Sequence, residues 1–201
     1  ATSQNFTAKH CHASRQFTRR FRSDTGPLKL GWPSQFIRVN PGHLQDKPTK
    51  PRDMTFRNRF KDRVAVVTGG AQGLGKAIAW RILEEGGSIV LCDRDATLGQ
   101  EVAASAQDAF FKDCVHFLPL DITNEASVES GFAEAHSRFG KLDILVNAAG
   151  IVGPNNVRIT ETPTEGFEEV LRVNLTGSFL VTKHILPFMQ QADYGRVLLI
   201  A

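Results

Sequence analysis

Thr68-Gly69-Gly70-Ala71-Gln72-Gly73-Leu74-Gly75 lies between an apolar run, Val64-Ala65-Val66-Val67, and a stretch with helical spacing. A strand that runs into a glycine-rich turn at a helix start is suited to holding a pyrophosphate. Main-chain N–H groups and the positive end of the helix dipole face the anion, and glycines let it come close.

The alternation of strand and helix continues outward from this turn. Arg63–Thr68 reads as a strand, and a helix from about Gly73 to Gly86-Gly87 carries Leu74, Ile78 and Ile82 on one face. Ser88–Asp93 reads as the second strand, a helical stretch begins near Ala96, and Val115–Leu118 reads as the third strand. Thr123 is the expected N-cap of the next helix, in which Val128, Phe132, Ala135 and Phe139 fall at helical spacing before Gly140. Leu142–Val146 reads as the fourth strand. A long helix from about Thr164 carries Phe167, Leu171, Asn174 and Ser178 along one side, and Val197–Ala201 begins a fifth strand. Strands apolar on both faces and separated by helices imply a parallel sheet covered on both sides. The expected fold is a doubly wound α/β sheet of Rossmann type, incomplete at its C-terminus.

With 41% hydrophobic and 22% charged residues, the 201-residue chain suits one globular domain. Its net charge of +3 is unevenly spread. Residues 1–53 hold ten Lys/Arg against three Asp/Glu, and residues 54–201 hold fourteen against eighteen. The patterned part is therefore mildly acidic and offers no electrostatic reason to expect nucleic acid. Residues 1–53 lack periodicity and scatter Pro27, Pro33, Pro41, Pro48 and Pro51 among polar residues, so we expect them to be a disordered basic extension. A transit peptide, a flexible basic arm and in-frame upstream sequence ahead of Met54 all remain open for them. The second unit, 54–201, is the expected dinucleotide-binding domain. Cys11, Cys92 and Cys114 are far apart with no Cys-x-x-Cys pair, which favours a reducing compartment over a disulfide framework. His10-Cys11-His12 has no second ligand pair, so no metal is expected. Apolar stretches fall short of the roughly 18 residues needed to span a bilayer. The expectation is a soluble, cytoplasmic protein without membrane partners, with organelle targeting by residues 1–53 left open.

Two nucleotide sites compete for the glycine-rich turn. Gly70-x-x-x-x-Gly75-Lys76 approaches a P-loop, but Ala77 stands where that loop needs a hydroxyl for magnesium. A dinucleotide site instead needs an acid at the end of the second strand, to accept hydrogen bonds from the adenosine ribose. Asp93 closes Ser88-Ile-Val-Leu-Cys-Asp93, eighteen residues after Gly75. A carboxylate there repels a 2′-phosphate, so NAD is expected over NADP, although Arg94 is placed to turn toward such a phosphate. A strand-ending turn is the structural alternative for Asp93.

The spacing Thr-Gly-x-x-x-Gly-x-Gly at 68–75 is followed in order by Asp121-Ile122-Thr123, Asn147-Ala148-Ala149-Gly150, Val173-Asn174-Leu175-Thr176-Gly177 and Gly195-Arg196-Val197-Leu198-Leu199-Ile200. Together these motifs resemble the short-chain dehydrogenase/reductase family, over residues 63–201. The resemblance implies that Gly69, Gln72, Gly73, Leu74, Gly75 and Asp93 bind the cofactor. Asp121 and Ile122 would lie beside the adenine, and Asn147, Ala149 and Gly150 would line the site after the fourth strand. It also implies that Asn174 is the catalytic asparagine, held in a proton-relay water network. Each has a structural reading beside it: Asp121 as a helix cap, Asn147 to Gly150 as a tight turn, Asn174 as a core amide bonded to backbone.

The family's chemistry moves hydride between the nicotinamide and an alcohol or ketone carbon, with a serine and a Tyr-x-x-x-Lys pair. The one tyrosine is Tyr194, with Leu198 four residues on, and Tyr-x-x-x-Lys does not occur. We therefore expect a fragment of an alcohol dehydrogenase or ketone reductase, itself inactive, whose continuation supplies those residues. Its expected substrate is a small alcohol or carbonyl compound of sugar, polyol or 3-oxoacyl type, and the complete protein is expected to form homo-oligomers. The alternative is a dinucleotide-binding module without catalysis.

Overall fold

The computed structural model describes residues 58–110 and 112–200. The expected extension over residues 1–53 therefore lies outside the described residues. Five strands, β1 (Val64–Thr68), β2 (Ser88–Asp93), β3 (Val115–Pro119), β4 (Ile144–Asn147) and β5 (Arg196–Leu199), form one sheet in the order β3-β2-β1-β4-β5. Every pairing is parallel. The helices between them are α1 (Gly73–Glu84), α2 (Ala96–Ala109), α3 (Glu125–Phe139), α4 (Thr164–Leu171) and α5 (Ser178–Gln191). A six-residue π-helical turn, Arg172–Gly177, joins the last two.

Strand periodicity explains the two layers. Val64, Val66, Val90 and Cys92 point to one face and pack with Val128 and Phe132 of α3 and Val181 and Ile185 of α5. Ala65, Val67, Ile89 and Leu91 point to the other, against Ala79 and Ile82 of α1 and Val102 and Ala106 of α2. All of β1 is buried, as a central parallel strand covered on both sides requires. The strand order reverses between β1 and β4, which opens a crevice at their carboxyl ends.

Several expectations need correction. Leu74 does not share the core face of α1: it is 65% exposed, and the buried side is Gly75, Ala79, Ile82 and Leu83. Asn124, not Thr123, caps α3, its side chain accepting from the Ser127 N–H at 3.1 Å. Phe167 and Leu171 face outward, and the helix presents Val173, Gly177, Leu180, Val181 and Ile185 to the core instead. Strand β4 starts two residues later than expected, at Ile144, and the buried Asp143 carboxylate just before it bonds the Val64 N–H and Arg63, both at 2.9 Å. Cys92 is a free buried thiol in the sheet core. No helix among the described residues is long and apolar enough to cross a membrane.

At the foot of α1 the buried Glu85 carboxylate accepts from Arg59 Nη2 at 2.6 Å and Arg81 Nε at 2.5 Å. The Arg59 hydrogen bond holds its carboxyl below the usual range, with burial opposing and Arg81 assisting. A folded pKa below the unfolded one gives stability that is complete above the ordinary carboxyl range and is lost as pH falls through the lowered value. Glu85→Gln should therefore lower the urea midpoint at pH 7, and its gap from wild type should close below about pH 4 to 5. Urea titrations at several pH values check this, and a gap constant with pH would contradict it.

Candidate cofactor site

The crevice is a cleft of about 480 Å³ at the carboxyl ends of β1, β2 and β4. Its floor is the glycine-rich turn. Gly75 lets α1 tuck under the strand end, since a Cβ there would lie 2.2 Å from the Gly69 carbonyl oxygen. Gly73 has φ +54° and open space around the position of a Cβ, so the chain turns into the helix without walling off the cleft. Gly70 N–H bonds the Cys92 carbonyl at 3.1 Å, and Lys76 N–H bonds the Gln72 carbonyl at 3.2 Å. Among the described residues no acceptor meets the N–H groups of Gln72, Gly73, Leu74 or Gly75. Free donors at a helix start make an anion cradle.

Asp93 lies at the edge of this cradle. Its Oδ2 accepts from the Ala71 N–H at 3.0 Å and its Oδ1 from the Asp95 N–H at 3.1 Å. The carboxylate is thus anchored to the turn, and each oxygen keeps acceptor capacity for a hydroxyl. Asp121 stands across the cleft, after β3. Its Oδ1 accepts from the Thr123 N–H at 2.9 Å and the Thr123 hydroxyl at 2.8 Å. Burial pushes this carboxyl up, but the two Thr123 hydrogen bonds and the charges of Arg172 and Arg94 hold it below the usual range. Asp121 therefore organises its own turn and does not cap α3.

Gly69, Gln72, Gly73, Leu74, Gly75, Asp93, Asp121, Ile122, Ala149 and Gly150 all line the cleft. Asn147 and Asn174 do not. Asn147 is fully buried, accepting from the Thr68 hydroxyl at 2.5 Å and donating to Ser178 Oγ at 2.8 Å. Asn174 is half-buried in the π-helical turn and clamps the loop after β4, accepting from the Ile151 N–H and donating to the Ile151 carbonyl, both at 2.9 Å. These are backbone bonds of the kind the structural alternative describes, but Asn174 does not share the outward stripe of Phe167 and Leu171. Glu169 and Arg172 also line the cleft, and sequence reasoning missed them. Their one local signal was an acid and a base three apart on a helix. Among the described residues no group of three or more ligating side chains is placed to hold a metal.

These residues fit a dinucleotide: a cradle of free N–H groups, a carboxylate anchored beside it, and a cleft within the size range of cofactor pockets. A short chain dehydrogenase family profile matches residues 63–201. The 2-dehydro-3-deoxy-L-rhamnonate dehydrogenase (NAD(+)) of Sphingomonas sp. is 38% identical over 146 residues, 73% of this chain and 56% of that protein. L-fucose dehydrogenase of Bos taurus is 34% identical over 139 residues, 69% of this chain and 49% of that protein. Among solved structures, NAD+-bound xylitol dehydrogenase superposes with a TM-score of 0.65 at 32% identity, over 69% of this chain and 52% of that one. The chain spans about half the length of the curated relatives it matches. It belongs to the short-chain dehydrogenase family of oxidoreductases.

Proposed function

We propose that this chain is the NAD-binding part of a dehydrogenase that interconverts a small alcohol and its carbonyl compound, with a sugar or polyol as the favoured substrate class. The observation that carries the reading is the Asp93 carboxylate, held by the Ala71 N–H beside four free N–H groups at the start of α1. Those N–H groups bind the pyrophosphate, Asp93 takes the ribose hydroxyls, and Asp121 and Ile122 hold the adenine. Ala149 and Gly150 give the cofactor a flat wall. A bound nicotinamide supplies the hydride donor or acceptor. The names of the rhamnonate, fucose and xylitol dehydrogenases support the substrate class, and two of the three name NAD. Small molecules, rather than nucleic acid or membrane, are the partners this cleft suits.

Tyr194 is not the acid/base of this site. Its ring lies 3.8 Å from the Arg63 guanidinium and 4.9 Å from that of Arg196, both beside the amino ends of their strands. The cleft is at the carboxyl ends. The residues described here therefore bind and orient, and proton transfer falls to a serine and a Tyr-x-x-x-Lys pair elsewhere in the whole protein. Their absence from the full-length sequence would favour the alternative, a non-catalytic dinucleotide-binding module.

Fluorescence titration of the full-length protein should show NADH binding at least about tenfold tighter than NADPH, because a like-charge contact costs several kcal/mol. Asp93→Ser should narrow that ratio, and tighter NADPH binding in the wild type would overturn the role of Asp93. Asn174→Ala should lower turnover while NADH affinity survives, as steady-state kinetics beside the same titration would report. The complete protein is also proposed to self-associate through the outer face of α4 and α5, where Phe167, Leu171, Leu175 and Phe179 recur every four residues and are 40% to 64% exposed. Leu175→Asp with Phe179→Asp should reduce the sedimenting species to a smaller one. An unchanged sedimentation coefficient would place the interface elsewhere.

A further inference from the structure

The π-helical turn reaches the cleft through Arg172, and the contacts of Arg172 lead to a carboxylate it does not touch. Its Nε and Nη2 grip the Glu169 carboxylate at 2.8 and 2.7 Å, so the guanidinium plane is set from its own helix. The remaining arm, Nη1, donates to the Thr123 hydroxyl at 2.9 Å. A guanidinium has no acceptor, so the hydroxyl must direct its own hydrogen elsewhere. It goes to Asp121 Oδ1 at 2.8 Å, the same oxygen that the Thr123 N–H bonds at 2.9 Å. Both Thr123 donors thus fall on Oδ1, and among the described residues no hydrogen bond reaches Oδ2. The π-helical turn packs directly on the segment that carries Asp121 and Thr123: a Cβ on Gly177 would come within 2.6 Å of Ile122 Cδ1. Arg172, Glu169, Thr123 and Asp121 all line the one cleft.

We propose that Arg172 is a positioning residue for base recognition. By fixing the Thr123 hydroxyl as a donor to Oδ1, it turns Oδ2 toward the base and makes the site select a purine with a 6-amino group over one with a 6-oxo group. An ionised carboxylate only accepts, so it pairs with an amino group and repels the lone pairs of a 6-oxo oxygen. The inference rests on the reading of Asp121 as the adenine-side residue. It goes beyond that reading by assigning the selectivity to a residue that makes no contact with Asp121 itself.

The test is a fluorescence titration of the full-length protein with NADH and with reduced nicotinamide hypoxanthine dinucleotide, whose purine carries a 6-oxo group and an N1–H in place of the 6-amino group and bare N1. Wild type is expected to favour NADH by about tenfold or more, the scale of a charge-assisted hydrogen bond. Arg172→Ala and Thr123→Val should each bring the two affinities within about threefold, and Thr123→Ser, which keeps the hydroxyl, should restore the preference. Thermal melts followed by circular dichroism separate this loss from unfolding, and the half-exposed Arg172 side chain makes folding of the alanine variant the expected result. If wild type and Asp121→Ala show the same lack of preference, the reading of Asp121 fails and takes the inference with it. If wild type discriminates, Asp121→Ala does not, and Arg172→Ala still does, Asp121 keeps its role and the role of Arg172 is overturned.

Discussion

The hydrogen bond from the Thr68 hydroxyl to the Asn147 side-chain carbonyl joins the ends of the two strands between which the sheet order reverses. Both residues are buried, so an unmet partner on either side would leave a polar group without water. Asn147 passes the link on: its amide donates to Ser178 Oγ, and the Ser178 hydroxyl donates to the Asn174 carbonyl at 2.5 Å. One chain of side chains thus ties β1, β4 and the π-helical turn together. The glycine-rich turn can open toward solvent because its base is held by this chain rather than by contacts across its mouth.

Asp93 shows how one carboxylate serves the fold and the site together. Its bond to the Ala71 N–H consumes one donor of the turn and leaves the following four free. Were Asp93 absent, Ala71 would join the orphan donors and the turn would lose its tie to β2 beyond the Gly70 bond to the Cys92 carbonyl. The same geometry presents a negative group at the edge of a positive cradle. A ligand that carries both a diphosphate and sugar hydroxyls meets each need at once, whereas a triphosphate would bring more charge toward the carboxylate.

What could be read along the chain was what depends on near neighbours. Ser88–Asp93 and β1 were legible because a strand buried on both faces must be an unbroken apolar run. Asp93 and Gly75 were legible because the spacing of a βαβ unit is set by backbone geometry. Leu74 misled because the helical period places it with Ile78 and Ile82, yet the turn aims the first residues of α1 at the cleft. Phe167 and Leu171 misled similarly: the helix keeps a core face at Val173, Gly177 and Leu180, and periodicity cannot tell an inner apolar stripe from an outer one. Thr123 and Asn124 are both good caps; the Thr123 hydroxyl is engaged by Asp121, and Asn124 caps α3. Arg172 reaches Thr123 across 49 residues and Asn147 reaches Ser178 across 31, and no local pattern announces either.

The π-helical turn is where these long-range links converge, and its irregularity has a physical use. A regular α-helix repeats its side-chain directions every three to four residues, which would send Arg172, Asn174 and Ser178 to fixed angles around one axis. The wider turn changes that phase within six residues. Arg172 is then free to reach the loop after β3, Asn174 the loop after β4, and Ser178 the end of β4 itself. The two loops are the opposite walls of the cleft, so a single segment sets the distance between them. A substitution that restored regular helix through this segment would have to give up at least one of the three links, and the cleft would lose a wall before the sheet lost a strand.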